Sequence, residues 1–286
     1  MSQFIELLGL PFLACLLMVG ILGYAGIHVL KREVIFIDIA LAQIAAVGAI
    51  VAHLAFHAHG VSLAGYGCAF AAVVAAAAFY AFVRRRVRAI PLEAVIGVTY
   101  AVAAAAALFL VGVAPGGHVH VHQMLAGSLL WATWRDVVWC AAVFAGVGLA
   151  FALLRGPLGR ISEDYEGAVA AGVRTVWWDF VFYTLVGLVI TLSVRVAGVV
   201  VVFAFLIIPS TLSALFASGW AARLAIAWAT GVVGTVAGLW FAMALDFSLG
   251  PSVAAFLGAL LALAGLYRLC RPGGEARAGT AVGPVG

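Results

Sequence analysis

The sequence predicts an all-α fold, a polytopic bundle of about nine transmembrane helices, and three observations carry that prediction. Of its 286 residues, 66% are apolar and only 9% are charged. The mean hydropathy of +1.22 lies far above that of a soluble domain. The apolar residues also arrive in long blocks, each close to the ~20 residues that a helix needs to cross the hydrocarbon layer, with polar gaps too short to fold separately. Blocks fall at 8–30, 34–57, 62–83, 91–113, 128–154, 177–194, 197–216, 222–245 and 250–268; the barely interrupted stretch 177–216 leaves eight or ten spans as alternatives. Residues 1–271 read as one transmembrane domain, and the Gly- and Ala-rich stretch 272–286 as a disordered cytoplasmic tail.

The first block has only Gln3 and Glu6 ahead of it and no basic n-region, so it reads as a retained helix rather than a signal peptide. Gly, Ala and Val fill most block interiors, which lets backbones approach closely where lipid offers no hydrophobic drive for association. Orientation follows from the Lys/Arg bias of the short loops. Lys31-Arg32, the run Arg84-Arg85-Arg86-x-Arg88, Arg155 with Arg160 and Arg174, Arg223, and Arg268 with Arg271 fall in alternate loops, which therefore face the cytoplasm. The loops at 58–61 and 114–127, the Arg195 turn and the 246–250 turn face outward, with the N-terminus outside and the C-terminus inside.

Two inner segments stand out. Residues 162–174 carry acids at one end and Arg174 at the other, a short-helix pattern that Ser162 could cap. Pro209 interrupts a long apolar run, and Ser210, Thr211 and Ser213 can satisfy backbone groups that it frees. Composition allows either a short helix lying across the inner surface after Pro209 or a simply kinked span.

Several functions are excluded. The net charge of +4 sits in topology-setting loops, which argues against a nucleic-acid partner. The single lysine, Lys31, follows Leu30, so no Gly-Lys-Ser/Thr phosphate-binding loop exists and the chain cannot carry its own P-loop ATPase. Cys15, Cys68, Cys140 and Cys270 lie far apart and read as packing residues. An intramembrane metalloenzyme finds no His-Glu-x-x-His. No catalytic residue and no bound cofactor are expected.

The polar residues within the apolar body are what need explaining. Six of the seven histidines fall on the external side. His118, His120 and His122 alternate with valine, so an extended chain throws all three imidazoles to one side, a composition suited to capturing Zn²⁺ or another late transition ion. His53 and His57, four residues apart near the outer end of the second block, differ by about 40° in projection, and Gln43 joins them in a sector about 80° wide. Asp38 lies near the inner end of the same block, where a charged group in lipid costs about 2.5–3.5 kcal/mol, and it must face protein, water or a cation. Asp246, just before Gly250-Pro251, is either a turn residue or a gate or ligand. Asp179 and Glu93 lie near helix starts, where the dipole favours acids. His28 reads as a packed histidine, and Arg195 as snorkelling to the outer headgroups.

These motifs resemble the membrane permeases of ABC importers for zinc, manganese and iron(II). The resemblance covers nearly the whole chain. It rests on Phe36-Ile-Asp-Ile-Ala-Leu-Ala-Gln43-Ile-Ala-Ala-Val-Gly48, on Ala126-Gly127-Ser128-Leu129-Leu130 with Asp136, and on Asp164 with Ala168 and Gly172. It continues through Val196-Ala-Gly198 and Leu206-Ile-Ile-Pro209 to Asp246 with Gly250-Pro251-Ser252. The resemblance implies the fold of cobalamin and siderophore permeases, a homodimer in the lipid of a bacterial inner membrane, a cytosolic ABC ATPase dimer that binds ATP, and an external metal-binding protein. It further implies that the segment after Pro209, with Ser210, Thr211 and Ser213, couples to the ATPase near Asp164 and Gly172. Asp38 and Asp246 match acidic positions of the family's metal path. One departure stands out: the family commonly places a His four residues after an Asp, whereas here Gln43 occupies the His position and follows Asp38 by five, so the two side chains point about 140° apart. The expected cargo is Zn²⁺, since imidazoles outnumber carboxylates on the outer face, with Mn²⁺ or Fe²⁺ next. A proton-coupled carrier or channel without an ATPase is the alternative.

Overall fold

The computed structural model describes residues 2–56, 63–87, 89–113 and 129–270. It contains α1 (Ser2–Lys31), α2 (Ile37–Phe56), α3 (Leu63–Arg86), α4 (Leu92–Val113), α5 (Trp134–Leu153), α6 (Arg155–Glu163), α7 (Tyr165–Ala170), α8 (Thr175–Ala197), α9 (Val199–Phe216), α10 (Trp220–Leu245) and α11 (Leu249–Cys270). Among the described residues no strand occurs, and nine of these helices are long and apolar enough to span a membrane. Only α6 and α7 are not.

The spans pack as two groups. α1, α9, α10 and α11 gather on one side, and α2, α3, α4 and α8 on the other. The groups meet along α8, which contacts α1, α2, α3 and α9, while α5 lies against α1 and α8. α8 is accordingly the most enclosed span, with 61% of its apolar window buried against 17% for α4. Its Phe182 and Tyr183, with Phe151 of α5, Tyr80 of α3 and Phe205 of α9, are the largest fully buried side chains. Exposed apolar groups such as Phe109, Trp139, Leu153 and Trp240 lie on outer faces, as expected of surface turned to lipid.

The basic ends do come together. Lys31 reaches Glu163, Arg32 reaches Asp179 at the start of α8, and Arg268 at the end of α11 donates to the Leu215 carbonyl at the end of α9. At the far end Arg195 lies 4.2 Å from the Tyr66 ring centroid, so an aromatic face, and not lipid headgroups alone, receives it. The alternation of charged loops thus corresponds to two physical ends of the bundle.

Two local expectations are revised, and one open alternative, at Pro209, is decided. The fifth span begins at Trp134, not at 128, because Thr133 and Asp136 form a capping box that starts the helix there, after a 3₁₀ turn at Leu129–Trp131. Ser162 does not cap a helix. It closes the last turn of α6 with its hydroxyl donating to the Leu158 carbonyl, and Asp164 caps α7 by accepting from Gly167 N–H at 2.8 Å. Finally, no separate helix follows Pro209: α9 runs through it to Phe216. The Ser210 hydroxyl donates to Leu206 O at 2.9 Å and that of Ser213 to Ser210 O at 2.7 Å, so both hydroxyls beside the proline bond the helix's own backbone. Gly26 of α1 seals the same place, since a methyl there would overlap the Leu206 carbonyl and the Ser210 hydroxyl.

Candidate translocation path and its cytoplasmic support

α2 carries the candidate path. Asp38 occupies its first turn and is 1% exposed. Its Oδ1 is buried and has no hydrogen-bond partner. A buried carboxylate oxygen left this way retains capacity for a donor or a cation. Gln43 is half-buried further up the helix, and His53 is half-buried in the last turn. Asp38 and His53 are separated by about 22 Å along the axis, so one ion with ligand distances of about 2 Å cannot touch both. The two do not form a chelate. Among the described residues no three of His, Cys, Asp and Glu converge on a point. His57, His118, His120 and His122 lie outside the described residues.

Asp246 stands at the end of the bundle away from Asp38. It is exposed and ends α10 in the left-handed region, φ 57° and ψ 41°, with its N–H donating to Ala242 O. A short polar side chain tolerates that conformation better than most.

At the basic end, α6 and α7 lie outside the spans. Asp164 starts α7, and Gly172, at φ 74°, ends its turn with N–H to Val169 O at 3.0 Å. Glu163 accepts from Trp220 Nε1 at 2.6 Å and from Lys31 Nζ at 3.2 Å, and the Lys31 ammonium sits 4.5 Å from the Trp220 ring centroid. The Trp220 donation, then Lys31, holds the Glu163 carboxyl below its ordinary range. Pro209, Ser210 and Ser213 are buried within the chain and Thr211 is half-buried.

Between α6 and the spans lies a buried ion cluster. Arg32 donates from Nε to Ser162 Oγ (2.8 Å), from one terminal nitrogen to Asp179 Oδ1 (2.5 Å) and from the other to Leu158 O (3.2 Å), with Phe182 beneath it at 4.1 Å. Arg84 of α3 donates to the same Asp179 oxygen at 3.3 Å and to Tyr183 Oη at 3.2 Å, while stacking on Tyr165 of α7. The Arg32 and Asp179 side chains are fully buried. His28 adjoins them, with Nδ1 2.8 Å from Ser162 Oγ and its ring against Trp220 and Tyr24. Sequence reasoning missed this cluster because Arg32 and Arg84 serve equally well as topology signals. The available signal was Asp179, one turn inside a span, where an unpaired carboxylate is expensive.

A family model, the ABC 3 transport family, matches residues 5–268. The chain belongs to that family. A curated relative, the manganese transport system membrane protein MntC of Halalkalibacterium halodurans, is 28% identical over 176 residues, covering 60% of this chain and 59% of the relative. PsaBC from Streptococcus pneumoniae, solved in complex with a Fab, matches with a TM-score of 0.75 at 18% identity, covering 92% of this chain and 94% of that one. A structure described as a metal-chelate type ABC transporter in an inward-facing conformation matches at 0.68 and 19% identity, covering 93% of this chain and 88% of the other. These two show the fold. For this ABC 3 member, the structure leaves Asp38, His53 and Asp246 apart and joins instead the residues around Asp179.

Proposed function

We propose that this chain is the permease subunit of an ATP-driven importer that carries a divalent transition metal, Zn²⁺ first and Mn²⁺ or Fe²⁺ next, across a bacterial inner membrane. The observation that carries the reading is an ABC 3 family match over 5–268 in a chain whose single lysine excludes a P-loop. ATP is therefore hydrolysed on a separate ATPase dimer. The manganese system named for the MntC relative supports a metal cargo. Zinc is placed first because neutral imidazoles suit it, while Mn²⁺ prefers oxygen ligands. Two permease copies, an external metal-binding protein and surrounding lipid complete the assembly.

On this reading the ion enters past the external histidines, His57 among them, and Asp246, and descends α2 past His53 and Gln43 to Asp38. Sparse ligation along the way is an advantage, because a carrier must release what it binds. The ATPase docks at α6 and α7, the short helices of the basic end, with Asp164 and Gly172 setting the ends of α7.

The test is metal uptake in cells, Zn²⁺ competed against Mn²⁺, with D38N, H53A and D246A. D38N should lower uptake by about tenfold, equivalent to about 1.4 kcal/mol, with smaller losses for the other two. Normal import by all three variants would remove the proposed path. Uptake into liposomes that persists with neither ATPase nor ATP would replace the importer by a proton-coupled carrier.

A further inference from the structure

We infer that Asp179 is a positioning residue, the joint through which movement of α6 and α7 reaches the spans. This inference rests on the importer reading above.

The contacts define the joint. Asp179 Oδ1 receives both guanidinium groups, and each of these is also held by a short cytoplasmic helix. Arg32 is tied to α6 through Ser162 Oγ and Leu158 O, and Arg84 to α7 through the Tyr165 ring. Arg32 itself follows α1, Arg84 belongs to α3 and Asp179 to α8, so one carboxylate connects the two short helices with both groups of spans. α6 and α7 cannot shift against the bundle without pulling at Asp179.

The cluster is also unevenly filled. Two cations share one carboxylate oxygen while Asp179 Oδ2, buried, has no partner. Arg32 uses all of its nitrogens and its side chain is fully buried, whereas the Arg84 side chain is 12% exposed and contacts Oδ1 at 3.3 Å. The free oxygen gives Arg84 a second place to donate when α7 and Tyr165 move. Such a discrete alternative pairing is what lets a packed interface switch rather than deform. Neither arginine grips the carboxylate as a two-pronged fork, since each donates one nitrogen to Oδ1, so the pairing is not locked in a single geometry.

The experiment uses the full chain assembled with its ATPase and supplied with its external metal-binding protein in proteoliposomes, with Zn²⁺, Mn²⁺ and Fe²⁺ as separate probes, and reads ATP hydrolysis and metal uptake on the same sample. D179N and R84Q should remain assembled and hydrolyse ATP within about twofold of wild type, while metal moved per ATP falls about tenfold. R84K, which keeps the charge but loses the planar fork, should give an intermediate ratio. An unchanged ratio in the assembled variants overturns the role of Asp179 alone. Loss of assembly in both D179N and R84Q makes the cluster structural and also overturns it. A wild-type complex without ATP-driven uptake overturns the importer reading and this inference with it.

Discussion

Arg32 shows how far a single residue can depart from its sequence-level meaning. As a loop cation it marks the cytoplasmic side; in the fold its guanidinium is enclosed by Ser162, Leu158, Asp179 and Phe182. Removing one partner of a buried pair costs about 3–5 kcal/mol, because the remaining charge stays desolvated. R32M should therefore destabilise the purified chain toward the lower end of that range, since Arg84 still neutralises Asp179; denaturant unfolding in detergent measures it. Asp38 is the converse case. Its position was legible as a carboxylate that must face something other than lipid, and the structure adds that one of its oxygens has no partner.

At the scale of elements, the turn between α8 and α9 is a single residue. Gly198 adopts φ 83° and ψ 161°, a region that is essentially restricted to glycine. G198A should cost about 1–3 kcal/mol and separate the two span groups where they are joined, which protease sensitivity of the 195–200 segment would report. Of the two readings that the sequence left open at Pro209, the fold takes the span that continues through it. Proline in a water-exposed helix ends it, but within a packed bundle Ser210, Ser213 and the close approach of Gly26 keep the helix continuous. No periodicity within α9 records that the partner surface is Gly26, because the two lie far apart in sequence.

Across the whole molecule, α6 is fastened on two sides, by the buried cluster and by the exposed Glu163–Lys31–Trp220 contact. The Glu163 carboxyl titrates below its ordinary range in the folded chain. Its contribution is therefore complete above that range and is lost as pH falls through the depressed value. The contact should be insensitive to pH around neutrality and loosen only as pH falls below the ordinary carboxylate range, seen as faster hydrogen exchange in α6. E163Q should show the looser α6 at every pH and no acid step.

Span number, the two ends of the bundle and the polar line on α2 were legible in the sequence because lipid imposes them locally: each span must be apolar, each inner loop basic, and each intramembrane polar group conspicuous. The family resemblance was legible for the same reason, since its motifs are short and ordered along the chain. What only the tertiary structure decided was which polar groups meet. Arg32, Arg84, Ser162 and Asp179 are brought together across 95 to 147 positions by the packing of α1, α3, α6 and α8, and pairing of that kind depends on how helices cross, which no single helix encodes.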